Sequence, residues 1–137
     1  IEYMSIDTLG NKYIIKSKSG EIDTDNQDII FMNDVEAKII FNNSKILTIR
    51  SDFAKYNNKN FDTFFSVNVT LDYQSHNIEA QELELSVSNN LVNMRDNLVY
   101  KGPNSILEAD RIEFDLITKN SKIFMDSEEK IKIKYFN

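Results

Sequence analysis

Apolar and polar residues alternate with period two along much of the chain. Val67, Val69, Leu71 and Tyr73 are separated by Asn68, Thr70 and Asp72. Leu83, Leu85 and Val87 alternate with Glu82, Glu84 and Ser86, and Ile112, Phe114 and Leu116 with Arg111, Glu113 and Asp115. Such alternation predicts strands with one dry and one wet face. Residues 79–91 hold good helix formers, yet a helix would turn Leu85 away from Leu83 and Val87, so a strand is predicted there too. Turn chemistry falls between the runs, at Gly10-Asn11, Asn42-Asn43, Asn57-Asn58, Ser75-His76-Asn77, Asn89-Asn90, Gly102-Pro103-Asn104 and Asn120. Asn tolerates positive φ and bonds its own backbone, so it serves turns that glycine would otherwise make.

The strands recur in a fixed order. Ile15, Ile49, Ile78 and Leu107 are each followed two residues later by a small residue: Ser17, Ser51, Ala80 and Ala109. At one later offset come Phe31, Phe65, Met94 and Ile123, and at another Val35, Val69 and Leu98. A repeat of this length predicts one structural unit stacked on itself, giving a long surface rather than a single catalytic pocket. Each unit also loses one step of its alternation. Beyond the small residue the apolar positions resume at Gly20 and Ile22, Ala54 and Tyr56, Leu83 and Leu85, Ile112 and Phe114. A phase break at one place in every unit predicts a bend or bulge there. Stacking bent units predicts an all-β, folded-over antiparallel sheet: a taco-like β-jelly roll of about four repeats, with open edges at both ends. A single domain over residues 1–137 is expected.

Composition narrows the function. The net charge of −6 lacks the basic footprint of a nucleic-acid binder, and no nucleic-acid partner is expected. The absence of cysteine removes disulfides, thiol nucleophiles and thiolate metal sites, and fits a cytosolic or bacterial periplasmic protein. No apolar run reaches the length of a membrane-spanning helix. The chain begins at Ile1 rather than at a methionine and reads as an excised soluble piece, with any anchor upstream.

Catalytic constellations are missing from the sequence. His76 is the only histidine and sits among turn residues, which leaves neither a triad nor a histidine metal site. Glu82, Glu84, Glu113 and Asp115 alternate with apolar residues, which places them on a wet strand face rather than as an inward acid/base pair. Asp23, Asp25 and Asp28 lack the glycine and terminal glutamate of a calcium loop and read as a polar hairpin. What remains is the apolar stripe. It contains Ile22, Phe31, Val35, Tyr56, Phe65, Val69, Leu85, Met94, Leu98, Phe114 and Ile123. These residues either seal a core, as in a carbohydrate-binding β module, or line an open apolar track. A hydrolase on a stacked β scaffold ranks below both.

The run Leu107-Glu108-Ala109-Asp110-Arg111-Ile112-Glu113-Phe114-Asp115, followed by Lys119-Asn120-Ser121-Lys122-Ile123, resembles the repeat of the OstA-like lipopolysaccharide-export family. Asn68-Val69 and Asn97-Leu98 resemble the Asn-Val pair of that repeat, with Asp34-Val35 as a variant; the fourth unit has Ser127-Glu128 instead. The opening stretch Ser5-Ile6-Asp7-Thr8-Leu9-Gly10-Asn11 looks like the hairpin that begins the LptC branch, and the LptA branch shares the repeat. The resemblance implies a periplasmic β-jelly roll, held at the inner membrane by an upstream helix in the full-length protein. It implies a non-enzymatic carrier, with no catalytic residue, cofactor or metal. The carrier would take lipopolysaccharide by its acyl chains, from the inner-membrane ABC transporter to an LptA-like protein. An LptA-like bridge subunit is the alternative within the family. The implied partner edges are Tyr3, Ser5 and Asp7 on the transporter side and Ile131, Ile133 and Tyr135 on the LptA side. Lys130, Lys132 and Lys134 alternate along that last strand, where they serve equally well to protect an edge from aggregation.

Overall fold

The computed structural model describes residues 1–125 and 132–135. It contains the strands β1 (Glu2–Ile6), β2 (Lys12–Ile22), β3 (Ile29–Ile40), β4 (Ile46–Asn57), β5 (Thr63–Tyr73), β6 (His76–Ser86), β7 (Leu91–Lys101), β8 (Ser105–Asp115), β9 (Ser121–Phe124) and β10 (Lys132–Tyr135). The pairings are antiparallel, and β1 to β8 lie side by side in chain order. At the far end β8 carries two partners. β9 pairs its second half and β10 its first half, so together they occupy the place of one bent strand. The sheet does not close on itself, and it folds over as a β-jelly roll, as the repeat predicts.

The bend lies where the alternation slips. The pairings of β4, β5, β6, β7 and β8 shift register between Arg50 and Phe53, Ser66 and Val69, Glu79 and Glu82, and Arg95 and Leu98. Left-handed residues sit at the same level: Asp34 in β3, Val67 and Asn68 in β5, Asp96 and Asn97 in β7. Asp and Asn carry this conformation at lower cost than other non-glycine residues, which accounts for the Asn-Val signature of the repeat. On β4 and β6 burial changes phase across the bend, from Ile49 and Ser51 to Ala54 and Tyr56, and from Ile78 and Ala80 to Leu83 and Leu85.

Every strand from β2 to β8 therefore contributes one half to each of two layers. The repeat anchors form a single row across the first layer, in register: Tyr3, Ile15, Ala37, Ile49, Leu71, Ile78, Tyr100, Leu107 and Ile133. A second row crosses the other layer: Gly20, Met32, Ala54, Phe65, Leu83, Met94, Ile112 and Ile123. At the bend, small residues face larger ones, with Ser17 and Ser51 flanking Val35, Ala80 opposite Val69, and Ala109 opposite Leu98. The inward sides of these rows make one continuous core.

Two sequence expectations are corrected. The turn between β5 and β6 is Gln74-Ser75, because Tyr73 pairs with His76, and His76 and Asn77 belong to the strand. Phe31 does not share the row of Phe65 and Met94. The hairpin from Gly20 to Met32 is one residue longer than those from Ala54 to Phe65 and from Leu83 to Met94. Met32 is therefore buried in the row, while Phe31 lies on the outer face, 46% exposed. The extra residue is absorbed at the bend, where β3 spends one left-handed residue, Asp34, and β5 and β7 each spend two.

Candidate functional site

The interior between the layers is the most extended apolar feature of the chain. Val35, Tyr56, Phe65, Val69, Leu85, Met94, Leu98 and Phe114 are buried there. The remaining stripe residues lie elsewhere. Ile22 is exposed on the second half of β2, which β1 leaves unpaired; Ile123 is exposed on β9; Phe31 is on the outer face. Aromatic rings tie the layers together. Tyr3 of β1 packs on Tyr56 with centroids 5.3 Å apart, and Tyr73 meets Phe41 and Phe114 edge-on at 5.7 and 5.8 Å. Among the described residues the space left within the layers at the β1 end is small. Beside Tyr3, Tyr13, Tyr56, Phe61 and Phe65 it amounts to about 20 Å³, the room of about one water.

The two rows of turns face each other across the mouth of the folded sheet. At the N-terminal end a hollow of about 280 Å³ lies between the β1–β2 turn and the loops bearing Phe61 and Val87. Asp7 organises that turn. Its carboxylate accepts hydrogen bonds from the backbone of Leu9 and Asn11, from Asn11 Nδ2 and from Tyr13 Oη. Burial, the charge of Asp7 and that hydrogen bond push the Tyr13 phenol well above the usual tyrosine range. At the C-terminal end a hollow of about 380 Å³ opens beside Tyr73, His76, Tyr100 and Phe114. Between the two, Lys119 reaches across the mouth. Its ammonium lies 3.9 Å from the centre of the Phe41 ring and donates to the carbonyls of Leu116 and Ile117.

The outer faces carry ion pairs between strand residues, alongside the exposed Phe31, Phe53 and Val67. Arg95 bridges Glu82 and Glu84 at 2.7 and 2.9 Å, and Arg50 bridges Glu36 and Asp72 at 3.2 and 3.7 Å. These glutamates belong to ion pairs on strand surfaces, not to a facing acid/base pair. Asp23 and Asn26 accept hydrogen bonds from the amides of Asp25 and Asp28, the bonding of a polar turn. Among the described residues no group of acidic or histidine side chains is placed to hold a metal ion.

Among the described residues both ends of the sheet are unpaired edges. On the N-terminal side β1 shows Tyr3 and Ser5 on its more sheltered face and Met4 and Ile6 outward, with Asp7 just beyond it. On the C-terminal side β9 and β10 form the edge. Ile133 is 47% exposed there and Tyr135 closes the pairing with Ser105, while Ile131 and Ser127-Glu128 lie outside the described residues.

A family model described as lipopolysaccharide-assembly, LptC-related, matches residues 1–126. The chain belongs to this LptC-related family. Membership points to a non-catalytic role in lipopolysaccharide transport, in keeping with a sequence that offers no catalytic constellation. Among solved structures, the chain is similar to LptH from Pseudomonas aeruginosa, described as the LptA-homologous periplasmic component of the conserved lipopolysaccharide transport device. The two share 14% identity and superpose with a TM-score of 0.67, over 89% of this chain and 93% of LptH. At that identity the likeness establishes the fold. No curated protein matches the chain.

Met32, Phe41 and Lys119 escape the sequence pattern. Met32 is hidden in the run Ile29-Ile30-Phe31-Met32, whose unbroken apolar character erases the phase. Lys119 and Phe41 lie in turns of different units, and no local spacing joins them.

Proposed function

We propose that this LptC-family chain is a single periplasmic domain, held at the inner membrane in its full-length form, that carries lipopolysaccharide by its lipid A acyl chains. The observation that carries this reading is the pair of apolar rows running unbroken from one open edge to the other. Each methylene exposed to water costs about 0.8 kcal/mol, so a single twelve-carbon chain costs about 10 kcal/mol to move through an aqueous space. A continuous apolar track offsets that cost at every step and needs no chemistry. The acidic net charge is compatible with this task, because the sugar and phosphate headgroup stays outside the apolar interior.

Among the described residues the interior is packed, so the acyl chains enter by separating the two layers at the mouth. Backbone hydrogen bonds hold the bend, whereas side-chain contacts such as those of Lys119 and Phe41 or Tyr3 and Tyr56 join the layers across the interior. The bend is the hinge and the mouth opens. Val35, Tyr56, Phe65, Val69, Leu85, Met94, Leu98 and Phe114 then line the track, with Met32 in the place the repeat gives to Phe31. Ile22 and Ile123 extend it at the two edges. Met32 and Met94 have the adaptable side chains that suit mobile acyl chains.

Transfer requires neighbours that continue the track. Strand addition at the free edges supplies them, with the β1 side toward the inner-membrane ABC transporter and the β9–β10 side toward an LptA-like protein. A photoreactive residue at Phe65 or Met94 is expected to crosslink lipopolysaccharide in cells. Crosslinks to protein neighbours alone, with no lipid adduct, would overturn the carrier reading. Removal of Ile131–Asn137 is expected to abolish binding of the LptA-like partner, and unchanged affinity in a folded deletion variant would overturn the assignment of that edge.

A further inference from the structure

The mouth of the folded sheet carries opposite charge at its two ends. Asp7 lines the N-terminal hollow, where no cationic side chain joins it among the described residues. The C-terminal hollow is lined by Lys45 and Lys119 and, among the described residues, by no carboxylate. In a chain with 22 acidic and 16 basic residues, a concave site with only cations is a departure from composition. Its floor is apolar and aromatic, formed by Tyr73, Tyr100 and Phe114, with His76 hydrogen-bonded to the Tyr100 hydroxyl.

The bonding state of the two lysines matters more than their number. Lys119 is half-buried, and its hydrogen-bond and ring partners are neutral: two backbone carbonyls and the face of Phe41. Burial holds its ammonium below the usual lysine range, against the pull of Asp115. Asp115 itself is occupied within its own turn, accepting from the amides of Ile117 and Thr118 at 2.8 and 3.0 Å. Lys45 is exposed on the opposite rim and forms no ion pair with a described residue. A partly desolvated ammonium with neutral partners gains more from an arriving anion than one already in an ion pair.

We propose that the hollow framed by Lys45, Tyr73, Tyr100, Phe114 and Lys119 seats the anionic headgroup of an amphiphile whose tail enters the apolar interior. The inference rests on the acyl-carrier reading above and adds a polarity to it: the anionic group sits at the C-terminal end of the mouth. Lys119 exchanges the Phe41 ring and the Leu116 carbonyl for a phosphate or carboxylate oxygen. The same movement removes its contact across the mouth, so headgroup binding and opening act together.

Calorimetric titration of the 137-residue chain with dodecyl phosphate, uncharged dodecylglycerol and inorganic phosphate, each below micelle-forming concentration, tests the assignment. Dodecyl phosphate is expected to bind about tenfold tighter than dodecylglycerol, equivalent to about 1.4 kcal/mol. The double variant Lys45→Gln/Lys119→Gln should bring the two amphiphiles to parity, while Lys119→Arg should keep the preference. Unfolding midpoints of the variants verify that they fold. Equal affinities in the parent chain, or a preference that survives the double variant, overturn the headgroup seat and leave the acyl track standing. Inorganic phosphate binding as tightly as dodecyl phosphate overturns it in favour of a plain anion site. Binding of neither amphiphile overturns the acyl track and the seat together.

Discussion

Two phenylalanines at one position of the sequence repeat have opposite surroundings, and truncating each measures the register of β3. Phe65 is fully buried, at 0% exposure, between Ala54 and Leu83 in the second-layer row. Phe65→Ala empties that place, and the small Ala54 side chain beside it cannot fill the void. A buried Phe→Ala change costs about 3–5 kcal/mol from lost transfer energy and the residual cavity. For a chain of this size that lowers the melting temperature by roughly 10–15 °C. Phe31 has almost half its surface in water already. Full burial of such a side chain contributes about 1.5–3 kcal/mol, so Phe31→Ala should cost about 1 kcal/mol, roughly 3 °C. Met32, at 1% exposure, occupies the row instead, and Met32→Ala should cost about 2–5 kcal/mol. Urea unfolding with a common slope gives all three values. A Phe31→Ala loss equal to that of Phe65→Ala, with Met32→Ala nearly silent, would refute the longer first hairpin and restore the simple repeat.

Ser17 Oγ is buried and, among the described residues, has no hydrogen-bond partner; the same bend row carries Ala80 and Ala109. Ser17→Ala should therefore stabilise by about 1 kcal/mol, and a destabilised variant in urea would show that the hydroxyl is satisfied. Asn97 holds φ at 52° in the bend of β7. Asn97→Ala is expected to cost about 1 kcal/mol and Asn97→Gly to stay within about 0.5 kcal/mol of the parent; equal costs would argue against a left-handed residue there. Tyr13 and Tyr56 have their phenol pKa raised, in both cases first by burial, and this sets an alkaline limit. A phenol that ionises less readily in the folded state contributes stability that is present below the unfolded value of about 10 and is lost as pH rises past it. The unfolding midpoint should fall above about pH 10, and Tyr13→Phe should flatten that fall; a parent and variant with parallel profiles would refute the assignment.

The fold was legible because two periodicities were superposed. Period-two alternation marked the strands, and the anchors Ile15, Ile49, Ile78 and Leu107 marked a row that the sheet places in register. The phase break after Ser17, Ser51, Ala80 and Ala109 marked the bend, because a side chain cannot stay on the inner face of both layers without losing a step. The site was less legible. Apolar pattern alone does not distinguish a track from a sealed core, since both need the same inward residues. The contacts across the mouth pair residues of different units, such as Lys119 with Phe41 and Tyr3 with Tyr56, and their meeting depends on how the bend closes.

The failure at Phe31 explains why the anchors nevertheless read so cleanly. An added residue in the first hairpin would flip every later side chain of β3 to the wrong face. The anchor row shows no such flip, because Ala37 still pairs with Ile15 and Ile49. The slip is cancelled within a few residues, where Asp34 alone makes the turn that Val67 with Asn68, or Asp96 with Asn97, makes elsewhere. The bend is thus a register buffer as well as a hinge: it accepts one or two left-handed residues and passes the next strand half on in phase. That property lets units of unequal hairpin length share one continuous interior, which is what an apolar track through unequal repeats requires. It also confines the cost of the mismatch to the outer face of the first unit, where Phe31 stands 46% exposed.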